Sequence, residues 1–344
     1  MPATLPLSVQ DRLLVVAPHP DDETLAAGEL VQAALAAGAT VRVLYATDGD
    51  NNPWPQRWIE KRWRLDGTAR ERWAQRRRQE AAVALAALAS DRAIDVRRLG
   101  WPDQGLTDAL MREDASVAAL RAELDAFGPT HVVMPSLHDR HPDHSALHVM
   151  LELALLRRAR PCQRLTYLIH AHGEGGGIAL PPDPARQARK RAAMEAYVSQ
   201  LSLSRGRLLA LAARMECFVP IDAPAAREHE CLYVQRPRAT HWRAHDFLLV
   251  LASGERTLRI RARVPRGTRM LALEAGDCAL HARVGADAIE IALPPGLRTS
   301  VAWTKWHRSG ARVVVFDRTP WRDVDAMAGS APRPIDARVA AGLG

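Results

Sequence analysis

Cysteine is scarce in this chain: four in 344 residues, at positions 162, 217, 231 and 278, with no two of them spaced as Cys-x-x-Cys. That excludes a thiolate zinc site or a Cys-x-x-Cys redox centre and leaves Cys162, Cys217, Cys231 and Cys278 as reduced, structural thiols. Long apolar runs are missing as well. No stretch reaches the ~18 apolar residues of a membrane-spanning helix, because Arg or Pro interrupts each one. The opening "MPATLPLSVQDRLLVV" has no basic segment leading into an apolar one, so no signal peptide is expected and the cytoplasm is the expected location. No Gly-x-Gly-x-x-Gly follows the first apolar run, which argues against a dinucleotide site. No nucleic-acid motif is visible, so nucleic acid is not an expected partner.

Hydrophobic residues make up 47% of the chain, enough for a packed globular core. The net charge is +8 and nearly all the cations are Arg. Such a balance suits anionic partners. It is also what an Arg-, Ala- and Leu-rich composition leaves on an ordinary solvated surface.

Strand and helix patterns alternate through the first two thirds. "RLLVVAP" (12–18) and "TVRVLYAT" (40–47) read as buried strands flanking a helical pattern over 22–39 that ends at Gly38. Further helices are expected near 69–90, 114–127, 145–159, 189–201 and 206–218, with strands at "DVRRLGWP", "THVVMPS" and "RLTYLIHAH". This order implies an α/β fold with a Rossmann-like, mostly parallel sheet flanked by helices. After about residue 220 the pattern becomes short alternating runs broken by Gly-containing turns, as in "TLRIRARV" (257–264), "AIEIAL" (288–293), "RTSVAWTKW" and "ARVVVFD". A smaller all-β, sandwich-like domain is expected there. The expected division is an α/β domain over 1–220, a β domain over 235–320 and a frayed tail over 325–344.

Two tetrapeptides stand out: His19-Pro20-Asp21-Asp22 and His141-Pro142-Asp143-His144, 122 positions apart. Each follows a predicted strand and precedes a helical pattern. In open α/β sheets, the loops at the carboxyl ends of the strands converge on the ligand crevice. Both knots therefore belong to one pocket, where three His and three Asp would meet. Two His and a carboxylate with an open position form a catalytic zinc set, although other divalent metals accept the same donors. A leftover carboxylate can take a proton from the activated water, and a leftover His can act on the developing charge. Asp22 could alternatively cap the following helix.

These stretches, "APHPDDETLAAG" and "HDRHPDHSAL", resemble the PIG-L/LmbE-like de-N-acetylases. "YATDGD" (45–50), "RRQEAAVALAAL" (77–88) and "LGWPDQGL" (99–106) extend the resemblance over about residues 12–218, but not into the β-rich part. The resemblance implies a Zn2+-dependent removal of an N-acetyl group from an amino-sugar substrate such as a GlcNAc glycan, glycolipid or glycoconjugate. It implies His19, Asp22 and His144 as metal ligands, and Asp21 as the base that activates water. It implies His141 acting on the tetrahedral intermediate or leaving amine, with Asp143 orienting a histidine and Arg140 touching the oxyanion or substrate. Arg77 and Asp103 match pocket positions that touch sugar or polar substrate, and Asp50, in the "YATDGD" stretch, is a further candidate for binding substrate. One departure is that the mycothiol-pathway enzymes carry Tyr two positions before the His matched by His141. Here that position is Asp139, so it offers no tyrosine-type oxyanion donor.

The segment "PWPQRWIEKRWRLDGTARERWAQRRRQ" (53–79) sets Trp54, Trp58, Trp63 and Trp73 among many Arg. Indole faces stack on sugars and Arg binds phosphate or carboxylate, so Trp54 and Trp58 are candidates for a lid gripping an anionic or lipid-linked substrate, or touching a membrane surface. Filling the core beneath a long loop is the other reading. Trp303, Trp306 and His307 fit core packing better than a carbohydrate surface, and "GEGGGIAL" (173–180) reads as a flexible loop near the pocket. Two alternatives remain beside the amino-sugar deacetylase: a zinc amidase acting on a non-sugar amide or thiol conjugate, and a metal- or glycan-binding module without catalysis. The sequence fixes no oligomeric state.

Overall fold

In the computed structural model, residues 5–324 are described, apart from 113, 172–176, 225–226, 229, 238–244, 265–266, 268, 277, 298, 309–313 and 315. The chain forms two compact units. One comprises Met1–Ala225 and Gly310–Trp321, the other Ala226–Ser309 and Arg322–Gly344.

The first unit alternates strand and helix: β1 Arg12–Ala17, α1 Asp22–Ala36, β2 Thr40–Thr47, α2 Pro53–Glu60, α3 Gly67–Ala89, β3 Asp95–Trp101, α4 Leu106–Arg112 and α5 Ala115–Phe127. It continues with β4 His131–Pro135, α6 Pro142–Leu156, β5 Gln163–Tyr167, β6 Ile178–Ala179, α7 Pro184–Glu195, α8 Val198–Ala212 and β7 Cys217–Ile221. Its sheet runs in the order β3-β2-β1-β4-β5-β7-β6. The first five strands of that order pair in parallel, while β7 is antiparallel to both β5 and β6. Leu13 to Ala17 are completely buried, as expected of a central parallel strand covered on both faces.

Local chemistry sets the helix ends. Pro142 occupies the first turn of α6, where its missing N–H costs nothing, and His141 is the capping residue before it. Asp66 starts α3 by accepting from the Ala69 N–H at 2.8 Å. Asp22 does not cap α1: its Oδ2 accepts from the His19 N–H at 2.9 Å, and Asp21 is the capping residue, without a side-chain cap bond. The expected helix over 189–201 divides into α7 and the start of α8, and the one over 206–218 stops early because Cys217–Ile221 pairs in the sheet. Helix α2 was not expected from the sequence.

Helix α1 breaks at Ala27 (φ −139°), and the chain supplies a cap from far away. The Glu216 carboxylate accepts the N–H groups of Glu29 and Leu30 at 2.8 and 2.9 Å and pairs with Lys190 Nζ at 2.7 Å. Both side chains are buried. A charge held this way is tolerable only because its partner and two backbone donors surround it.

The second unit is antiparallel. β8 Arg227–Glu228, β10 His245–Ser253, β11 Arg256–Arg263, β15 Thr299–Arg308 and β16 Arg322–Asp323 form one sheet. β9 Cys231–Gln235, β12 Arg269–Ala275, β13 Cys278–Val284 and β14 Ala288–Ala292 form the other. Phe247, Leu249, Leu251 and Ile260 from the first sheet share one core with Leu273, Leu280, Ile289 and Ile291 from the second, which makes a sandwich. Trp303 and Trp306 are buried, so they pack rather than present a carbohydrate surface. Phe316 and Asp317 do not extend this unit as "ARVVVFD" suggested: they lie in the first unit, where the Asp317 N–H donates to the Arg140 carbonyl at 2.6 Å. The expected tail over 325–344 and residues 173–176 of the glycine-rich stretch lie outside the described residues, while Ile178–Ala179 of that stretch is strand β6 rather than loop, because it pairs with Cys217 and Phe218. Among the described residues, no helix is long and apolar enough to cross a membrane.

Lys190→Ala should leave Glu216 buried beside two backbone donors without its countercharge, at a cost of roughly 3–5 kcal/mol. The exposed pair of Arg191 with Glu195 should matter far less. Urea midpoints of Lys190→Ala and Arg191→Ala test this, and equal midpoints would refute the role given to Lys190.

Candidate active site

The sheet reverses its order between β1 and β4, so the loops leaving these two adjacent strands turn away from each other and open a crevice. Both His-Pro-Asp knots sit on its two sides. Each knot places two side chains three positions apart at the start of a helix: His19 with Asp22 at α1, His141 with His144 at α6.

Asp22 joins the knots. Its Oδ2 lies 3.1 Å from His19 Nδ1 and 3.2 Å from His144 Nε2. Among the described residues, potential ligand atoms fall into three overlapping groups, each within 4.8 Å: His19, His141 and His144; Asp22, His144 and His170; His19, Asp103 and Asp143. His144 is completely buried, with Asp22 3.2 Å from its Nε2 and Asp139 3.3 Å from its Nδ1. Burial alone would raise the Asp22 carboxyl, but the His144 and His19 rings hold it well below the usual carboxylate range. Burial alone would likewise lower His144, yet Asp22 and Asp139 lift it to about 10. A carboxylate kept ionised between two rings that both seek positive charge is a donor set suited to a divalent cation. Two imidazoles and a carboxylate match zinc chemistry.

Asp21 stands beside this set in an unusual backbone conformation, φ 112° and ψ −27°. A non-glycine residue there carries strain of about 1–3 kcal/mol, which its surroundings must offset. Glu23 does so: its carboxylate accepts the Asp21 N–H at 3.0 Å and is itself held by the Tyr197 and Thr24 hydroxyls. Burial raises the Asp21 carboxyl to about 7, against the opposing pull of Arg77, whose Nη2 is 3.5 Å away. Arg77 also donates to the Pro20 carbonyl. Gly49, after β2, leaves room for it. A Cβ at Gly49 would lie 2.8 Å from Arg77 Cζ, and its φ of +63° disfavours other residues.

The remaining expected residues take their places around this centre. His141 is buried, edge-on to His19 with ring centroids 4.7 Å apart, and its Nε2 is 3.2 Å from Gln104 Nε2. Burial and the neighbouring His19, His144 and His170 hold its pKa well below the usual histidine value. Asp143 accepts the N–H groups of Gln104 and Leu106 at 2.7 and 3.1 Å and approaches His19 Nε2 at 3.3 Å. Asp103 approaches the same nitrogen at 3.2 Å and accepts the Asn51 N–H at 2.9 Å. Asp50 receives the Asp103 N–H at the long distance of 3.4 Å. Arg140 is exposed at the rim, its guanidinium 5.7 Å from the centre of the Phe316 ring. Trp54 and Trp58 stand outside this cluster on α2, both well exposed.

Sequence reasoning missed four contributors. Asp139, noted only as a departure, is completely buried: one oxygen accepts the Ile169 and His170 N–H groups at 2.9 and 3.1 Å and lies 3.3 Å from His144 Nδ1. It thus holds the ring that Asp22 meets from the other side. His170 follows β5, and its ring centroid is 5.0 Å from that of His144. Its place after a parallel strand was the available signal. Glu23 and Gln104, the latter at φ 64°, carried no signal beyond their neighbourhood in the quoted stretches.

Comparison with known proteins agrees with this architecture. The sequence model of the PIG-L family, described as GlcNAc-PI de-N-acetylase, matches residues 14–155. A 1D-myo-inositol 2-acetamido-2-deoxy-alpha-D-glucopyranoside deacetylase of Nakamurella multipartita is 30% identical over 255 residues, covering 60% of this chain and 85% of that protein. The protein of the same name from Mycolicibacterium gilvum is 35% identical over 162 residues, covering 42% of this chain and only 54% of its own length. This chain therefore spans about half the length of several curated relatives that it matches. Among solved structures, the A40926 pseudoaglycone deacetylase Dbv21 shares the fold, with a TM-score of 0.51 at 24% identity, over 63% of this chain and all of that one. The chain belongs to the PIG-L family of de-N-acetylases.

Proposed function

We propose that this protein is a metal-dependent N-deacetylase that removes the acetyl group from an amino-sugar substrate, with zinc as the cation. The observation that carries the reading is the meeting of His19, Asp22 and His144 at one carboxylate oxygen, with the strained Asp21 next in the chain. The relatives named as acetamido-glucopyranoside deacetylases support the substrate class.

His19, Asp22 and His144 would hold the ion. A divalent cation there polarises the amide carbonyl and makes water a stronger acid. Asp21 takes the proton from the attacking water, and Glu23, accepting the Asp21 N–H, holds that residue's backbone in place. His141 faces the same centre and stabilises the tetrahedral intermediate, and the proton taken up by Asp21 passes to the departing amine, directly or through His141. Asp143, through two backbone amides and His19, fixes the loop after β3 against the metal side. Arg77, Asp103 and Asp50 border the position of the sugar, and Arg140 the rim. The products are acetate and a free amino sugar.

Asp21→Asn should retain metal and fold while acetate release from GlcNAc-containing substrates falls by about 10²–10⁴-fold. Full activity in a metal-loaded Asp21→Asn protein would remove Asp21 from the role of base.

The purified protein should bind about one zinc per chain, and a strong chelator should abolish activity until zinc returns. Asp139→Ala should weaken metal affinity by about 10–100-fold, because His144 loses the carboxylate that holds its far nitrogen. Competition with a chromogenic chelator reads this directly. Unchanged affinity would mean that Asp139 only supports the backbone of residues 169–170.

A further inference from the structure

Three of the tryptophans in the 53–79 segment are not buried. Trp54 is 58% exposed, Trp58 66% and Trp63 82%, whereas Trp73 is fully inside. Exposed indoles at this density are unusual, since large apolar side chains in contact with water normally mark an interaction surface.

Helix α2 carries them on a fixed support. Pro55 and Gln56 face inward, and Gln56 Nε2 donates to the Ala69 carbonyl at 2.6 Å. Glu60 pairs with Arg72 of α3 at 3.2 Å. Trp54 and Trp58, four positions apart, share the opposite, solvent side of this short helix. Trp63 follows just beyond its end. A helix clamped in this way does not need to swing over a sugar. One side of the Trp54 indole is also taken, since the Arg57 guanidinium lies 5.2 Å from its centre.

Lys61, Arg62 and Arg64 are interleaved with these indoles and exposed. Among the described residues, none of the three has a carboxylate within ion-pair distance. Helix α8, which packs against α2, carries exposed Val198 and Leu203 of its own. Indoles prefer the boundary between water and hydrocarbon, and unpaired cations beside them add attraction to anionic headgroups. A neutral glycan would gain nothing from the cations, and a free anion nothing from three convex indoles.

We propose that Trp54, Trp58 and Trp63, with Lys61, Arg62 and Arg64, form a docking face for the surface of an anionic lipid bilayer. The face begins four residues after Asp50, so docking brings the crevice near the lipid surface. The proposal does not rest on the deacetylase reading, because lipid binding is measured without turnover.

The test is flotation of the full chain with vesicles of phosphatidylcholine alone and of phosphatidylcholine with about 30% phosphatidylglycerol. Binding to the anionic vesicles, reduced by added salt, is expected. Trp54→Ala/Trp58→Ala/Trp63→Ala and, separately, Lys61→Glu/Arg62→Glu/Arg64→Glu should each weaken it by about tenfold or more. Thermal melts and metal content check that both variants fold. The charge-reversed variant should keep its acetate release from a soluble substrate. Three results would overturn the proposal: no flotation of the unaltered chain, equal binding to neutral and anionic vesicles, or variants that bind as the parent does. Retention by an acetylated polysaccharide without flotation would give the face to a glycan and overturn it as well.

Discussion

Parallel pairing of β1 with β4, Leu13 beside His131 through Val15 beside Val133, is the contact on which the site depends. The two strands are separated in sequence by β2, β3 and five helices. Only their adjacency brings His19 and Asp22 to His144. Because β2 leaves on one side of β1 and β5 on the other side of β4, no connection crosses the top of the pair, and a crevice remains. The other parallel strands feed the same edge: Gly49 and Asp50 after β2, Asp103 and Gln104 after β3, and His170 after β5. The apolar side chains of β1 and β4 make this edge rigid, so the loops can carry strain such as that at Asp21.

The crevice gathers more buried acid than a protein interior tolerates unaided. Asp21, Asp22, Glu23, Asp103, Asp139 and Asp143 are all buried within it. Backbone donors answer part of this. Asp139 takes N–H groups from His141, Ile169 and His170, and Asp143 takes two from the loop after β3. The starts of α1 and α6 add the positive ends of their dipoles. Imidazoles answer the rest, at the cost of holding protons. Burial would discharge His19, yet Asp103 and its neighbours raise it well above the usual histidine value. His144 follows the same pattern, while His141 and His170, further from the carboxylates, are pushed the opposite way. A divalent cation can take over the charge that those protons carry, and it frees the rings to act as neutral donors. The two rings that face carboxylates, His19 and His144, are thus set apart from His141 and His170.

Much of the first unit was legible because its central strands are buried on both faces and therefore read as unbroken apolar runs. The two knots were legible because Pro and Asp at a helix start leave a local mark. The Rossmann-like expectation follows from the alternation, and the sandwich from period-two runs such as Arg256–Arg263. What was not legible depends on distant partners. Helix α2, with two prolines and two indoles in eight residues, has no helical signature of its own. It is held by Gln56 reaching Ala69 and by Glu60 reaching Arg72. Cys217–Ile221 looks like the end of a helix until β5 claims it as an antiparallel neighbour. Asp139 looked like a lost tyrosine because its value lies in backbone groups thirty residues further on.

The division of the tryptophans carries the same lesson into function. Composition alone could not say whether Trp54, Trp58, Trp63 and Trp73 fill a core or face a ligand, since one segment supplies all four. Trp73 lies within α3 and turns inward with Ala69 and Ala74. Trp54 and Trp58 ride a helix whose inward positions are already taken by Pro55 and Gln56. Once those two are buried, helical periodicity forces positions 54 and 58 outward, whatever their hydrophobicity. Exposure of the indoles is therefore a consequence of how α2 is anchored. A chain that needed only to bury apolar area could have placed small polar residues at 54 and 58 without disturbing Gln56 or Glu60. Their presence on the outer side, bracketed by cations that no carboxylate among the described residues answers, is what turns a packing detail into a surface with a direction.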